Sequence, residues 1–274
     1  MKLEIIIGII AVCINAVITY FTGIYTLWYW DLIMVLLIPV TYTLLLPIYI
    51  LFMFVCNLFM RGKKEVNKPK KFASFITKQT YKLVLDIFRI KIHHTGLDLV
   101  PQNEKFLIVC NHRSNWDPFP IGYFFPGNIA DVTKPENLSM PIYGNFIKNC
   151  AFVPMPRDDD FAAVKSIVRA SKIIKDQNSS MVIFPEGTRN KTDDVLLDFH
   201  AGSFKIAQRA KCPLVVVCLT NTESITMTPK KNNIYMDVVK VYTPEEVVSM
   251  NTVDLANETS ELIKKQYLFR KEGK

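Results

Sequence analysis

The 274-residue sequence predicts an α/β fold: a mixed, largely parallel β-sheet flanked by helices, preceded by a hydrophobic helical hairpin. Three observations carry this expectation. Residues 5–60 contain a single formally charged side chain, Asp31, which separates two long apolar runs. From residue 89 onward, short and nearly continuous apolar runs alternate with stretches of helical period. Finally, the polar segments "NHRSNWD" and "FPEGTRN" each follow an apolar run directly, as loops do beyond the strand ends of a parallel sheet.

The hairpin comes first. Its runs, Ile5 to Tyr29 and Leu32 to Met60, each match or exceed the roughly 20 residues that a helix needs to cross a hydrocarbon core. Trp28, Tyr29 and Trp30 beside Asp31 suit an interfacial belt at the tip, because indole and phenol rings favour the headgroup layer. Lys2 is offset by Glu4 and the first run is longer than a usual signal core, so the segment is expected to be retained. Pro39 and Pro47 are placed to bend the second run.

The formal charge of +8 has one address. Residues 61–92 hold ten basic side chains against only Glu65 and Asp86, and the remainder of the chain is close to neutral. A nucleic-acid-binding domain would spread such charge over its own folded face, so no nucleic-acid partner is expected. A basic segment directly after an apolar run instead favours the cytoplasmic side and an anionic lipid surface. Within it, Phe72, Phe75, Ile76, Leu83, Val84, Ile87 and Phe88 recur at helical spacing, with Lys78, Lys82 and Arg89 at polar positions. That pattern describes an amphipathic helix suited to the membrane interface or to packing on the following domain. The expected organisation is therefore a hairpin over 1–60, a basic linker and interfacial helix over 61–92, and an α/β domain over 93–274.

Strands are expected at "RIKIHH", "KFLIVC", "GNIADV", "SMVIF", "PLVVVCL" and "IYMDVVKVY". Helices are expected at about residues 117–124, 161–176, 202–210 and 252–268. The six cysteines show no C-x-x-C pair and no metal-ligand spacing, so reduced and mostly buried thiols are expected. His93 and His94 are adjacent on a strand, face opposite sides and make poor co-ligands for one metal.

In "NHRSNWD", a turn after the strand can fold Asp117 back onto His112. The carboxylate would hold one imidazole nitrogen while the other accepts a substrate proton. In "MVIFPEGTRN", Pro185 and Gly187 set a sharp turn that also carries Glu186 and Arg189. A guanidinium there can clamp a phosphate through two parallel hydrogen bonds, or Glu186 and Arg189 can pair with each other. Cys110 closes an apolar run and reads as a core residue rather than a nucleophile, and Ser114 as a turn donor. No G-x-S-x-G elbow occurs, which weakens a hydrolase of the common α/β type.

Taken together, Asn111, His112 and Asp117 as N-H-x-x-x-x-D, and the complete F-P-E-G-T-R from Phe184 to Arg189, resemble the glycerolipid acyltransferase family and within it the lysophosphatidate acyltransferases. "KPENLSMPIYG" with Arg157 in "FVPMPRD", and "CPLVVVCL", are similar to two looser family blocks. The likeness spans about residues 90–220. It implies that His112 is the general base, deprotonating the free sn-2 hydroxyl of a lysophosphatidate as that oxygen attacks an acyl thioester, with Asp117 orienting the imidazole. It further implies substrate-binding roles for Arg189, Glu186, Gly187, Thr188 and Asn111, with Lys134 and Arg157 as a second phosphate contact. No bound cofactor or metal is implied; acyl-coenzyme A or acyl carrier protein would enter as donor. The implied partners are membrane lipid and, for one kind of donor, acyl carrier protein, with the catalytic domain on the cytoplasmic face of a membrane. Glycerol-3-phosphate or another lysophospholipid as acceptor, and a non-catalytic lipid-binding role, are the alternatives.

Overall fold

The computed structural model describes residues 3–60, 62, 65–156, 158–226 and 231–273. The chain divides into two compact units, one of Met1–Arg61 with Pro141–Tyr143 and one of Gly62–Met140 with Gly144–Lys274.

The smaller unit is built on α1 (Leu3–Thr22) and α2 (Trp30–Phe59). They are joined by a turn at Gly23, whose φ of 67° is available to glycine at little cost. Buried Asn15 ties them together: its amide donates to the Ala11 carbonyl at 2.8 Å and to Thr41 Oγ1 at 3.0 Å. Such an inter-helix bond supplies cohesion where a surrounding apolar medium offers no hydrophobic drive. Among the described residues, one helix, Trp30–Phe59, is long and apolar enough to cross a membrane, and Ile7–Thr22 is a shorter apolar stretch. Pro39 and Pro47 both lie inside α2, which continues through them.

The larger unit is a seven-stranded sheet in the order β1-β7-β6-β2-β5-β3-β4. Its strands are β1 (Ile90–Thr95), β2 (Leu107–Cys110), β3 (Ile129–Thr133), β4 (Val153–Pro154), β5 (Ser180–Ile183), β6 (Leu214–Thr220) and β7 (Asn232–Tyr242). Strands β6, β2, β5, β3 and β4 are mutually parallel. The last strand, β7, runs antiparallel to β6, and β1 pairs parallel with β7. The sheet is thus mixed and largely parallel, as the alternating pattern predicts. All residues of β2, β5 and β6 are buried, the physical counterpart of their uninterrupted apolar runs.

Helices cover both faces. Ile108, Cys110, Val182, Val215, Val217 and Leu219 form one core with Ile121 and Phe125 at α4 (Pro118–Phe124). On the opposite face, α9 (Thr252–Lys271) receives Cys218, whose Sγ donates to the Ile263 carbonyl, and Asp237, which pairs with Arg270 at 2.6 Å. Between them in sequence lie α5 (Gly144–Asn149), α6 (Asp160–Lys175), α7 (Lys205–Ala210) and α8 (Pro244–Ser249). The two-residue β4 and six-residue α5 and α8 are too short to leave a periodic signature. His93 stacks on Tyr235 while His94 lies against Phe124, on opposite sides of β1 as adjacent strand residues must.

The basic segment's helix, α3 (Lys71–Ile87), belongs to the larger unit. It buries Ile76, Tyr81, Leu83 and Leu85, with Tyr81 edge-on to Phe119 and Leu85 against Ile90 and Ile234. Phe72 and Phe75 remain exposed at its start. One face therefore packs on the sheet unit while the first turn presents aromatic rings outward.

One buried group carries an avoidable cost. Asp131 in β3 is 9% exposed, and its carboxyl makes no hydrogen bond or ion pair with a described residue. Burial pushes its pKa from 3.8 up to about 8. Below the unfolded value both states are protonated and the site is neutral in effect. Between that value and about 8 only the unfolded state ionises, so stability falls as pH rises, and above it the penalty is complete. Asp131→Asn should therefore leave Tm unchanged near pH 4 and raise it by several degrees at pH 9, where each kcal/mol is worth about 2–4 °C. Thermal unfolding across that range checks the sign; an equal shift at both pH values would count against a titrating origin.

Candidate active site

The sheet order brings the two polar segments together. β2 lies between β5 and β6, and Val109 is in register with Ile183, so β2 and β5 end at the same edge. His112 and Glu186, 74 residues apart, meet there: the His112 backbone N–H donates to Glu186 Oε1 at 2.6 Å. The second loop also holds the next backbone group, because the Asn190 N–H donates to the His112 carbonyl at 2.7 Å.

Local chemistry shapes the first loop. After Cys110 the main chain leaves the sheet, and the Asn111 side chain takes over the ladder. Its Nδ2 donates to the Leu219 carbonyl and its Oδ1 accepts the Leu219 N–H, both at 2.8 Å. Asn111 is fully buried. The Asn111 amide thus extends the pairing of β2 with β6 and fixes where the next residue points.

Asp117 precedes α4, whose first residue is Pro118, a residue that needs no N–H partner at a helix start. Its carboxylate turns back over the loop, where Oδ2 accepts from His112 Nδ1 at 2.7 Å, the Arg113 N–H at 2.9 Å and the Ser114 N–H at 2.8 Å. Asp117 is fully buried and its Oδ1 has no described partner. Three donors converging on one oxygen hold a negative charge beside the ring. The imidazole side chain is 15% exposed and stacks on Phe184 at 4.3 Å between centroids. Its Nε2 has no hydrogen bond to a described residue. One nitrogen is thus held by an acid and the other is open.

The second loop turns at Gly187, whose φ is 68° and whose N–H donates to the Phe184 carbonyl at 3.0 Å. The positive φ favours glycine, and a Cβ there would come within 2.8 Å of the His200 imidazole, which would have to shift. Glu186 is 3% exposed, and its second oxygen accepts the Leu197 N–H at 2.8 Å. Burial raises its pKa, while those two backbone donors and His112 oppose the rise. Each Glu186 oxygen accepts one backbone N–H, and Glu186 makes no ion pair with Arg189. Through these bonds Glu186 joins the two loops. Arg189 is half-buried and makes no ion pair with a described residue, which leaves its guanidinium available. Thr188 is exposed beside it.

Lys134 is exposed directly after β3, at the same sheet edge as the two loops. Arg157 lies outside the described residues. Cys110 is fully buried, and burial first, then the Asp117 charge, push its thiol pKa well up, so it is poorly suited to act as a nucleophile. Ser114 accepts the Trp116 N–H at 3.3 Å, a turn role with the opposite polarity to that expected.

Arg113 has no counterpart in the sequence reading, and His200 reads there as a loop or helix-start residue that could approach the site, which is where it lies, directly before the turn Ala201–Phe204. Arg113 donates to the carbonyls of Thr192, Asp194 and Val195 and lies 5.5 Å over the Tyr267 ring, fastening the segment after the second loop. His200 bonds back to the loop through its N–H, which donates to the Pro185 carbonyl at 2.9 Å, and lines a cavity of about 590 Å³ with Phe184 and Gly187. Neither residue sits in a spacing that signals chemistry, since both depend on loops that meet only in three dimensions.

The chain is similar to known proteins in sequence and in fold. Residues 91–220 match the model of the Acyltransferase family. The 1-acyl-sn-glycerol-3-phosphate acyltransferase of Helicobacter pylori is 30% identical over 166 residues, covering 59% of this chain and 68% of that protein. The protein of the same description from Cocos nucifera is 33% identical over 120 residues, covering 44% of this chain and 39% of the relative, so the match spans well under half of the plant protein. In fold, the chain is similar to the crystal structure of the 1-acyl-sn-glycerophosphate acyltransferase PlsC from Thermotoga maritima. The TM-score is 0.58 at 20% identity, over 80% of this chain and 87% of that one.

Proposed function

The chain belongs to the glycerolipid acyltransferase family, and on that premise we propose that it transfers an acyl chain from an acyl thioester to the free sn-2 hydroxyl of lysophosphatidate, making phosphatidate. The observation that carries this reading is the 2.7 Å contact of His112 Nδ1 with Asp117 Oδ2, with Nε2 left open. In the reaction, Nε2 takes the proton of the hydroxyl as its oxygen attacks the thioester carbonyl. The tetrahedral intermediate then collapses, the C–S bond breaks, and the imidazolium returns the proton to the departing thiolate. The products are an ester and a free thiol, and the base ends as it began. Asp117 stabilises the imidazolium and keeps the ring in register.

Arg189 is the group we assign to the acceptor's phosphate, with Lys134 and Arg157 as further contacts. A phosphate held a few bonds from the hydroxyl orients it toward the base, which is catalysis by positioning. The apolar hairpin and the basic residues after it anchor the chain to an anionic bilayer with the catalytic domain on the cytoplasmic side, so that the acceptor's tail need not leave lipid. The donor is an acyl thioester of coenzyme A or of acyl carrier protein.

The test supplies purified protein with one labelled donor and a panel of acceptors: lysophosphatidate, glycerol-3-phosphate and other lysophospholipids. Label is expected in phosphatidate; incorporation confined to another acceptor would remove the assignment. In the same assay, Arg189→Ala should lower kcat/KM for lysophosphatidate by about tenfold or more, as expected when a charged hydrogen-bond partner worth roughly 1.5–3 kcal/mol is lost. Its effect should shrink for an acceptor without a phosphomonoester, and unchanged acceptor kinetics would reassign the guanidinium.

A further inference from the structure

Behind Phe184, the cavity noted above runs between α6 and the segment from His200 through α7. Its inner wall is apolar, with Met155, Val164, Ile167 and Ile183 beside Phe184. Its outer rim is basic: His200, Lys205 and Arg209 line it, against the single acid Asp160. Lys205 and Arg209 are four residues apart on α7 and so project from one face. Arg209 also lines an adjoining groove with Lys172 and Lys175, on the last turn of α6, where Asp176 at the helix end is the one acid against three basic side chains. Lys172 and Lys175 are carried by α6 and Lys205 and Arg209 by α7, and none of the four makes an ion pair with a described residue.

The direction of the track is set by topology. α6 leads into β5, and β5 ends at the loop that holds His112, so the last turn of α6 lies toward the opposite end of the sheet. With 16 residues, α6 spans about 24 Å. α7 likewise leads into β6, which parallels β2, so Arg209 lies farther from the catalytic edge than His200 does. The acceptor's phosphate, a few bonds from the hydroxyl that His112 must reach, cannot extend to the far end of this track. An acyl thioester can, because a long uncharged arm of two amides separates its sulfur from the phosphate that joins it to its carrier.

Resting on the acyl-transfer reading above, we propose that this cavity is the donor site for the phosphopantetheine arm. Its thioester end lies at Phe184, the lining residue on which the His112 ring stacks, its phosphate at Lys205 and Arg209, and the further anionic charge of its carrier on Lys172 and Lys175. The volume falls within the roughly 300–1,000 Å³ of small-ligand sites, and an apolar wall facing a cationic rim matches an arm that is neutral along its length and charged at its end. Coenzyme A and acyl carrier protein share this arm and differ only beyond the phosphate.

The experiment uses the full chain in detergent or vesicles, with Arg209→Gln, Lys205→Gln and the combined Arg209→Gln, Lys172→Gln, Lys175→Gln variant. Equilibrium binding of free coenzyme A, of acyl carrier protein bearing the arm, and of pantetheine without phosphate is measured separately from turnover. Each single substitution should weaken coenzyme A about three- to fivefold, an exposed-charge effect of up to roughly 1 kcal/mol, and the combined variant by tenfold or more, with pantetheine unmoved. The carrier whose affinity falls most with Lys172 and Lys175 is the one that the outer groove serves. In turnover, donor kcat/KM should fall while the acceptor KM stays constant. Equal loss for pantetheine, a change confined to acceptor KM, or no change in binding of either carrier would overturn the site. Should no acyl group be transferred from any donor while coenzyme A binding still depends on Arg209, the proposed reaction fails and the arm site stands.

Discussion

His112→Ala should abolish acyl transfer while leaving the fold in place. The expected loss is about 100- to 10,000-fold, the usual contribution of a positioned general base. The fold survives because the loop is held through the backbone at this residue: its N–H bonds Glu186 and its carbonyl accepts from Asn190, and alanine keeps both groups. Removal of the ring leaves Asp117 with the N–H donors of Arg113 and Ser114, so the buried carboxylate is not stranded. Labelled-acyl transfer measured beside thermal unfolding separates the two effects. Cys110→Ala is the matched control, since its thiol is fully buried and donates only a weak contact to Asn111 Oδ1. Transfer that persists in His112→Ala and disappears in Cys110→Ala would point to a thiol mechanism and end the proposed one.

The second large effect is expected at Glu186→Gln, although glutamine matches glutamate in shape. The two carboxylate oxygens each accept a backbone N–H, from His112 and from Leu197. An amide has one acceptor oxygen, so its NH2 must face one of those donors and leave it unpaired in a buried place. The cost of an unsatisfied buried donor is roughly 1–3 kcal/mol, enough to move one loop against the other. If that cost falls on the reactive geometry, kcat drops by about ten- to a hundredfold, with Tm lowered as well. Acid should mimic the substitution. Burial raises the Glu186 pKa, so protonation, which likewise removes an acceptor, sets in above the ordinary carboxylate range. The acid limb of the pH–activity profile should therefore contain a step that Glu186→Gln lacks. An unaltered kcat in that variant would mean that the joint between the loops is not needed for the chemistry.

These two residues also show how the reading divides between sequence and structure. The role of His112 follows from nearby residues, because a turn five residues long suffices to bring Asp117 to Nδ1. Glu186 reads as a loop or ligand-binding acid from its neighbours, and Asn111 as part of a polar motif. Their actual bonds run to Leu197 and Leu219, partners that no local spacing specifies. Arg113 is invisible for the same reason, its bonds running to the carbonyls of residues 192, 194 and 195. Asp131 sits inside an apolar strand, where one carboxylate hardly disturbs the pattern, yet its burial shifts its pKa to about 8.

By itself the sequence determined the apolar hairpin, the alternation of strands and helices, the sharp turn at Gly187 and the pairing of His112 with Asp117. Each of these follows from composition or from interactions within a few residues, where backbone sterics and side-chain period act directly. Only the tertiary structure decided that β2 lies beside β5, that β1 and β7 run against the other strands, and that a basic-rimmed cavity opens behind Phe184. Strand order and the space between packed helices are settled by burying the whole sheet at once, and residues distant along the chain contribute to that balance without leaving a mark on one another's sequence.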